Sequence, residues 1–186
     1  MPYTVIPVDI SAGAQFDPDF LAISPNNKIP AIFDRDAGIS MMESGAILLY
    51  LADKSGQLLP HEPGARWKTI EWLMMQMGSA GPMLGQAHHF HRFKPGVSQY
   101  AEERYIAEAA RIYGVLDRRL AETEYLAGDY SIADIAMWPW ISRYEWQGVR
   151  LTDYPHVKRW YLGIASRPAV QRGYDVPHAV SPIPRP

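Results

Sequence analysis

No cysteine occurs anywhere in the 186 residues of this chain. Structural disulfides, thiolate metal sites and a cysteine nucleophile are thereby excluded, and any thiol chemistry has to arrive on a ligand. Excess charge is missing as well. Eighteen Lys and Arg face 20 Asp and Glu, a net charge of −2, with no block of one sign. That balance argues against nucleic acid, which asks for a concentrated positive surface, and against a charged interaction tail. Long apolar runs are also absent. Stretches such as Ala46 to Ala52 fall far below the roughly 20 residues a membrane-crossing helix needs. The opening Met1-Pro2-Tyr3-Thr4-Val5 has neither the basic stretch nor the apolar core of a signal peptide. The expectation is a cytoplasmic protein that binds neither membrane nor nucleic acid.

What is present suffices for a packed core, with 47% hydrophobic and 12% aromatic residues. The densest information lies in Ser24 to Lys54, SPNNKIPAIFDRDAGISMMESGAILLYLADK. A polar loop, Asn27-Lys28-Ile29, ends in Pro30 and runs into Ala31-Ile32-Phe33. A turn at Asp36-Ala37-Gly38 joins that run to Ile39-Ser40-Met41-Met42, so the two read as a β-hairpin. Glu43-Ser44 then precedes an almost wholly apolar helix, with Ser44 in the expected N-cap position. The start of a helix suits a carboxylate, because unpaired amides and the helix dipole both favour an anion. Glu43 beside it suits a zwitterion: its carboxylate takes an ammonium while Ser44 takes the carboxylate. Such a site fits the α-amino-acid end of a ligand. The Ile29-Pro30 backbone can add an extended peptide edge-on.

Loop, proline, hairpin, Glu-Ser and helix in this order resemble the second half of the thioredoxin-like domain of glutathione transferases. SPNNKIPAI followed by ESGAILLYLA is similar to the nu-class, yeast prion-regulator-like branch of disulfide-bond oxidoreductases. The resemblance runs from Tyr3 to about Gln171. It implies an α/β plus all-α fold: a thioredoxin-like domain over 1–57, a helical bundle over 65–174 and a Pro-rich tail over 175–186. It also implies glutathione as cosubstrate and a homodimer. Family members open with a strand and helix whose connecting turn contacts the glutathione sulfur. This sequence starts beyond that point, about two dozen residues late, whether by truncation, a late start codon or loss. No catalytic residue is therefore assigned.

Residues 3–8 are rich in β-branched side chains and predict a strand, with Pro7 placing it at an edge or end. Asp17 is a candidate N-cap for a short helix opening at Pro18. Gly56 to Gly64 is the expected domain boundary, and helical periodicity follows. Trp67, Ile70, Leu73, Met74 and Met77 recur on one face. The Gly78 to Pro82 cluster is expected to kink or break their helix. His88, His89 and His91 have no carboxylate nearby in sequence, so they are expected on the open side of a cleft and not as metal ligands. Tyr100 to Leu120 is an amphipathic helix. Ser131 and Asp134 stand in capping-box relation, a structural role.

By the resemblance, Ile29 and Pro30 hold the glutathione backbone and Glu43 with Ser44 its γ-glutamyl end. Lys28, Gln15 and Arg104 supply charge and hydrogen bonds, Arg104 through a permanently charged guanidinium suited to a carboxylate. The expected activity is thiol–disulfide exchange through glutathione, with conjugation of an electrophile as a variant. The alternative is a non-catalytic glutathione-binding or regulatory protein.

Overall fold

The computed structural model describes every residue except Val180. The chain divides into two compact units, Met1–Leu59 and Pro60–Pro186.

In the first unit Asp17 caps α1 (Pro18–Leu21), its carboxylate accepting from the Asp19 amide. Strands β1 (Ala31–Asp34) and β2 (Ile39–Met42) pair antiparallel, Ala31 opposite Met42 and Asp34 opposite Ile39. Asp34 organises the turn between them, its Oδ1 accepting from the amides of Asp36 and Ala37. Its Oδ2 reaches α2 (Ser44–Ser55), accepting from Tyr50 Oη at 2.6 Å and from Lys54 Nζ. The Lys54 ammonium and then the Tyr50 hydroxyl hold the Asp34 carboxyl far below the usual carboxylate range. One side chain thus ties the hairpin to the helix.

The predicted strand over residues 3–8 does not form. Those residues carry no regular structure, Tyr3 and Ile6 are more than three-quarters exposed, and the described sheet has two strands, β1 and β2. β-Branched composition favours a strand only when a ladder partner is beside it, and none is present among the described residues.

The second unit is helical: α3 (Pro63–Met75), α4 (Gly81–Ala87), α5 (Gln99–Glu122), α6 (Ile132–Ile141), α7 (Pro155–Ala165) and α8 (Pro168–Tyr174). The expected break at Gly78 to Pro82 is a π-helical turn, Gln76–Ala80, leading straight into α4. Widening the turn absorbs the hydrogen bond that Pro82 cannot make. The small residues there admit a neighbour: a Cβ on Gly81 or Gly85 would lie within 3.4 to 3.6 Å of the Trp140 ring of α6.

The buried face of α3 differs from the predicted one. Thr69 and Leu73 are buried and Trp72 and Met75 pack on the core, while Trp67 is 68% exposed and Met74 46%. This helix is apolar on several sides, so packing and not periodicity selects the face. On α5 the predicted stripe holds, with Ala109, Ile112, Tyr113, Leu116 and Leu120 all buried. The Ser131–Asp134 capping box is present at the start of α6. Buried Asp134 accepts from Ser131 N and Oγ and from two distant donors, Leu126 N at 3.0 Å and Trp160 Nε1 at 2.8 Å. Outside Val180, residues 175–186 form no regular element. Ile183 nevertheless packs on the core, and Pro184 O accepts from the buried Tyr161 hydroxyl at 2.7 Å.

Candidate functional site

The loop before β1 and the start of α2 meet around a cavity of about 70 Å³. Ser24, Lys28, Ile29 and Pro30 line one side, and Met42, Glu43 and Ser44 the other. Five sequence-predicted site residues, Lys28, Ile29, Pro30, Glu43 and Ser44, are therefore brought together. The Ile29–Pro30 peptide bond is cis.

The wall from Glu43 is built differently from the sequence expectation. Glu43, not Ser44, precedes the helix, and Ser44 is its first residue. Glu43, at φ 68° and ψ 113°, is itself not helical, but its carbonyl accepts the first helical bond from Ile47 N at 2.9 Å. The Glu43 side chain caps nothing. Its Oε1 instead accepts from Asn26 Nδ2 at 3.2 Å. The positive end of a 12-residue helix, the Lys28 cation and the Glu43 carboxylate thus share one small space. Opposite charges side by side complement a zwitterion. The volume suits a single amino-acid terminus, whereas drug-sized ligands occupy on the order of 300 Å³ or more.

Three residues of this site escaped the sequence reading. Ser24 is fully buried and its Oγ donates to Lys28 O at 2.8 Å, which folds the loop back on itself. A Ser-Pro pair reads as a surface turn, so nothing in the sequence marked it. Met42 ends β2 in the cavity wall. Asn26 was hidden beside Asn27 in a polar run, and its bond to Glu43 spans 17 residues.

Gln15 and Arg104 do not line this cavity. Gln15 lies in a short 3₁₀ turn, Ala14–Phe16, and its Oε1 is enclosed with no hydrogen-bond partner among the described residues. Arg104 belongs to the helical unit. It is exposed on α5 and lines a concavity of about 680 Å³ with Met83, Tyr100, Glu103, Glu108 and Arg111, among others. Arg111 there is held by both oxygens of Glu108, at 2.7 and 2.8 Å.

His88 departs from expectation, whereas His89 is exposed. His88 is buried in the helical core at 9% exposure, stacked on Trp140, with Nε2 2.9 Å from Gln147 Nε2. Burial, and then the Arg143 charge, lowers its pKa to about 4. The Gln147 amide is oriented by its partners: Trp140 O can only accept, so Nε2 is the donor there, and Tyr113 Oη donates to Oε1. Nε2 of His88 must then accept, which fixes a neutral ring. His91 does have a carboxylate neighbour, Glu102 of α5, at 2.9 Å. Chain folding supplied the partner that sequence distance concealed. Among the described residues no group of three His, Cys, Asp or Glu is arranged to hold a metal ion.

Residues 1–53 match the glutathione S-transferase N-terminal domain and residues 81–168 the C-terminal domain. The disulfide-bond oxidoreductase YfcG of Escherichia coli (strain K12) is 53% identical over 173 residues, covering 90% of this chain and 80% of that one. A glutathione transferase from Burkholderia graminis, crystallised with two glutathione molecules per subunit, superposes with a TM-score of 0.90 at 42% identity, over 97% of this chain and 80% of its own. One from Pseudomonas putida, with one glutathione disulfide per subunit, gives 0.91 at 41%, over 95% and 82%. With both domains matched in order and a relative more than half identical, this chain belongs to the glutathione transferase family.

Proposed function

We propose that this chain is a glutathione-dependent disulfide-bond oxidoreductase. The observation that carries the reading is the α2 pocket. It gathers a cation, a carboxylate and a helix start around a space sized for the γ-glutamyl end of glutathione. In this role Glu43 takes the α-ammonium. The start of α2 at Ser44, with Lys28, takes the α-carboxylate, and Ile29-Pro30 pairs with the tripeptide backbone. Gln15 supplies a further polar contact, and Arg104, exposed on α5, carries a guanidinium suited to a glutathione carboxylate.

With no cysteine in the chain, the attacking sulfur belongs to glutathione. Its thiolate attacks one sulfur of a disulfide R–S–S–R′, forming a mixed disulfide and expelling R′S⁻. A second glutathione thiolate then attacks the glutathione sulfur of the mixed disulfide. It releases RS⁻ and leaves glutathione disulfide, and the expelled thiolates take up the protons the two glutathiones gave up. The relatives crystallised with two glutathiones, or with their disulfide, correspond to the reducing equivalents before and after this cycle. The E. coli relative named for disulfide-bond oxidoreduction supports a disulfide over an electrophile as second substrate.

Residence in the cytoplasm, where thiols are kept reduced, and a homodimer complete the proposal. The dimer is supported by α5. Glu103 and Arg111 lie four residues either side of Ala107 on the wall of the larger concavity. An antiparallel second copy would set each Glu103 against the other copy's Arg111, which keeps donors beyond its two bonds to Glu108.

Calorimetric titration with reduced and oxidised glutathione, beside a coupled assay of glutathione-driven disulfide reduction, tests the reading. Binding with turnover is expected. Binding without turnover would assign a glutathione-binding or regulatory protein, and no binding would remove the pocket assignment.

A further inference from the structure

Glu43 is one of three non-glycine residues with positive φ among those described, and Asn27, at 54°, stands in the facing loop. Asparagine tolerates this conformation. Glutamate does so only where its surroundings hold it. The loop opposite is itself locked. Asn27 N donates to Ser24 O at 2.9 Å, and the fully buried Ser24 returns its hydroxyl to Lys28 O at 2.8 Å. Between these two bonds the turn presents Asn26, whose Nδ2 donates to Glu43 Oε1. A carboxylate only accepts, so the NH₂ side of the amide must face Glu43. That bond occupies Oε1 and leaves Oε2 for a cation.

The choice of a neutral donor matters. Lysine or arginine at position 26 would neutralise Glu43 and compete with a ligand ammonium. An amide fixes the carboxylate and leaves its charge unspent.

We propose that Asn26 is the positioning residue of the ammonium-reading carboxylate. By holding Oε1 it turns Oε2 toward the α-ammonium of the ligand, and so sets the preference for an end carrying both ammonium and carboxylate over one carrying carboxylate alone. The inference rests on reading the α2 pocket as the glutathione site.

The test is titration of the whole protein with glutathione and with glutaryl-cysteinylglycine, which differs only in lacking the α-amino group. Wild type should prefer glutathione, and Glu43→Gln should abolish the preference. Asn26→Ala should weaken glutathione about fivefold, the scale of one modest hydrogen bond, and leave the analogue unchanged. In the Glu43→Gln background Asn26→Ala should add nothing. Equal weakening of both ligands by Asn26→Ala would reduce Asn26 to loop support and overturn the proposal. So would an unchanged preference in Asn26→Ala beside a lost one in Glu43→Gln, with the pocket assignment intact. A preference that survives Glu43→Gln would overturn the pocket assignment itself.

Discussion

Glu43 and Asp134 are both acidic residues at helix starts, and the structure gives them opposite work. Glu43 is exposed, makes one long side-chain hydrogen bond and caps nothing. Its removal therefore disturbs little packing. Glu43→Ala should weaken glutathione binding by about tenfold to a hundredfold, the scale of a charge-assisted hydrogen bond, with the thermal midpoint unmoved. Calorimetry beside a melting curve checks both halves. Asp134 is fully buried and accepts from four donors in three segments of chain. Asp134→Ala orphans all of them and should destabilise by about 3 kcal/mol or more, measured by urea unfolding, with glutathione affinity unchanged under native conditions. The Asp134 role was legible from Ser131-x-x-Asp134 alone, because a capping box is local. The bonds from Leu126 and Trp160 were not, since they join residues 8 and 26 positions away.

At the scale of elements, the π-helical segment His88–Phe93 and the 3₁₀ turn Tyr144–Gln147 are joined by a bond that requires neutral His88. In the native state the ring takes a proton only near pH 4, while in the unfolded chain it does so near 6.5. Between those values the unfolded state binds more protons, so stability is full above about pH 6.5 and falls as pH drops. The His88 contribution amounts to about 3 kcal/mol by pH 4. Asp134, raised by burial, contributes a slope of opposite sign at acid pH, so the comparison must be with a variant. His88→Gln keeps an acceptor for Gln147 and cannot titrate. Its stability should decline less than wild type between pH 7 and 4, by urea unfolding at each pH. Amphipathic periodicity located α5 correctly because its apolar residues lie on one side. It misplaced the buried face of α3, where Trp67 and Met74 are as apolar as Leu73 and only the neighbours decide which is covered.

For the whole molecule, the α5 face makes the dimer testable. Light scattering should give twice the chain mass. Glu103→Arg or Arg111→Glu alone should shift the equilibrium toward monomer, and the two together should restore it. Restoration by the pair is the outcome a merely destabilised monomer cannot give.

The order of motifs, the absence of cysteine and the hairpin that leads into Glu43-Ser44 were determined by sequence, because each depends on neighbours within a few residues. From them followed the family, the proposal that glutathione supplies the reacting sulfur, and five residues of one pocket. Tertiary structure decided the rest. It turned Glu43 into the residue before the helix, set Asn26 against it, buried His88 and left residues 3–8 without a strand partner among the described residues. Each outcome depends on a group distant in the chain, and a hydrogen bond or a strand ladder forms only once folding supplies its other half.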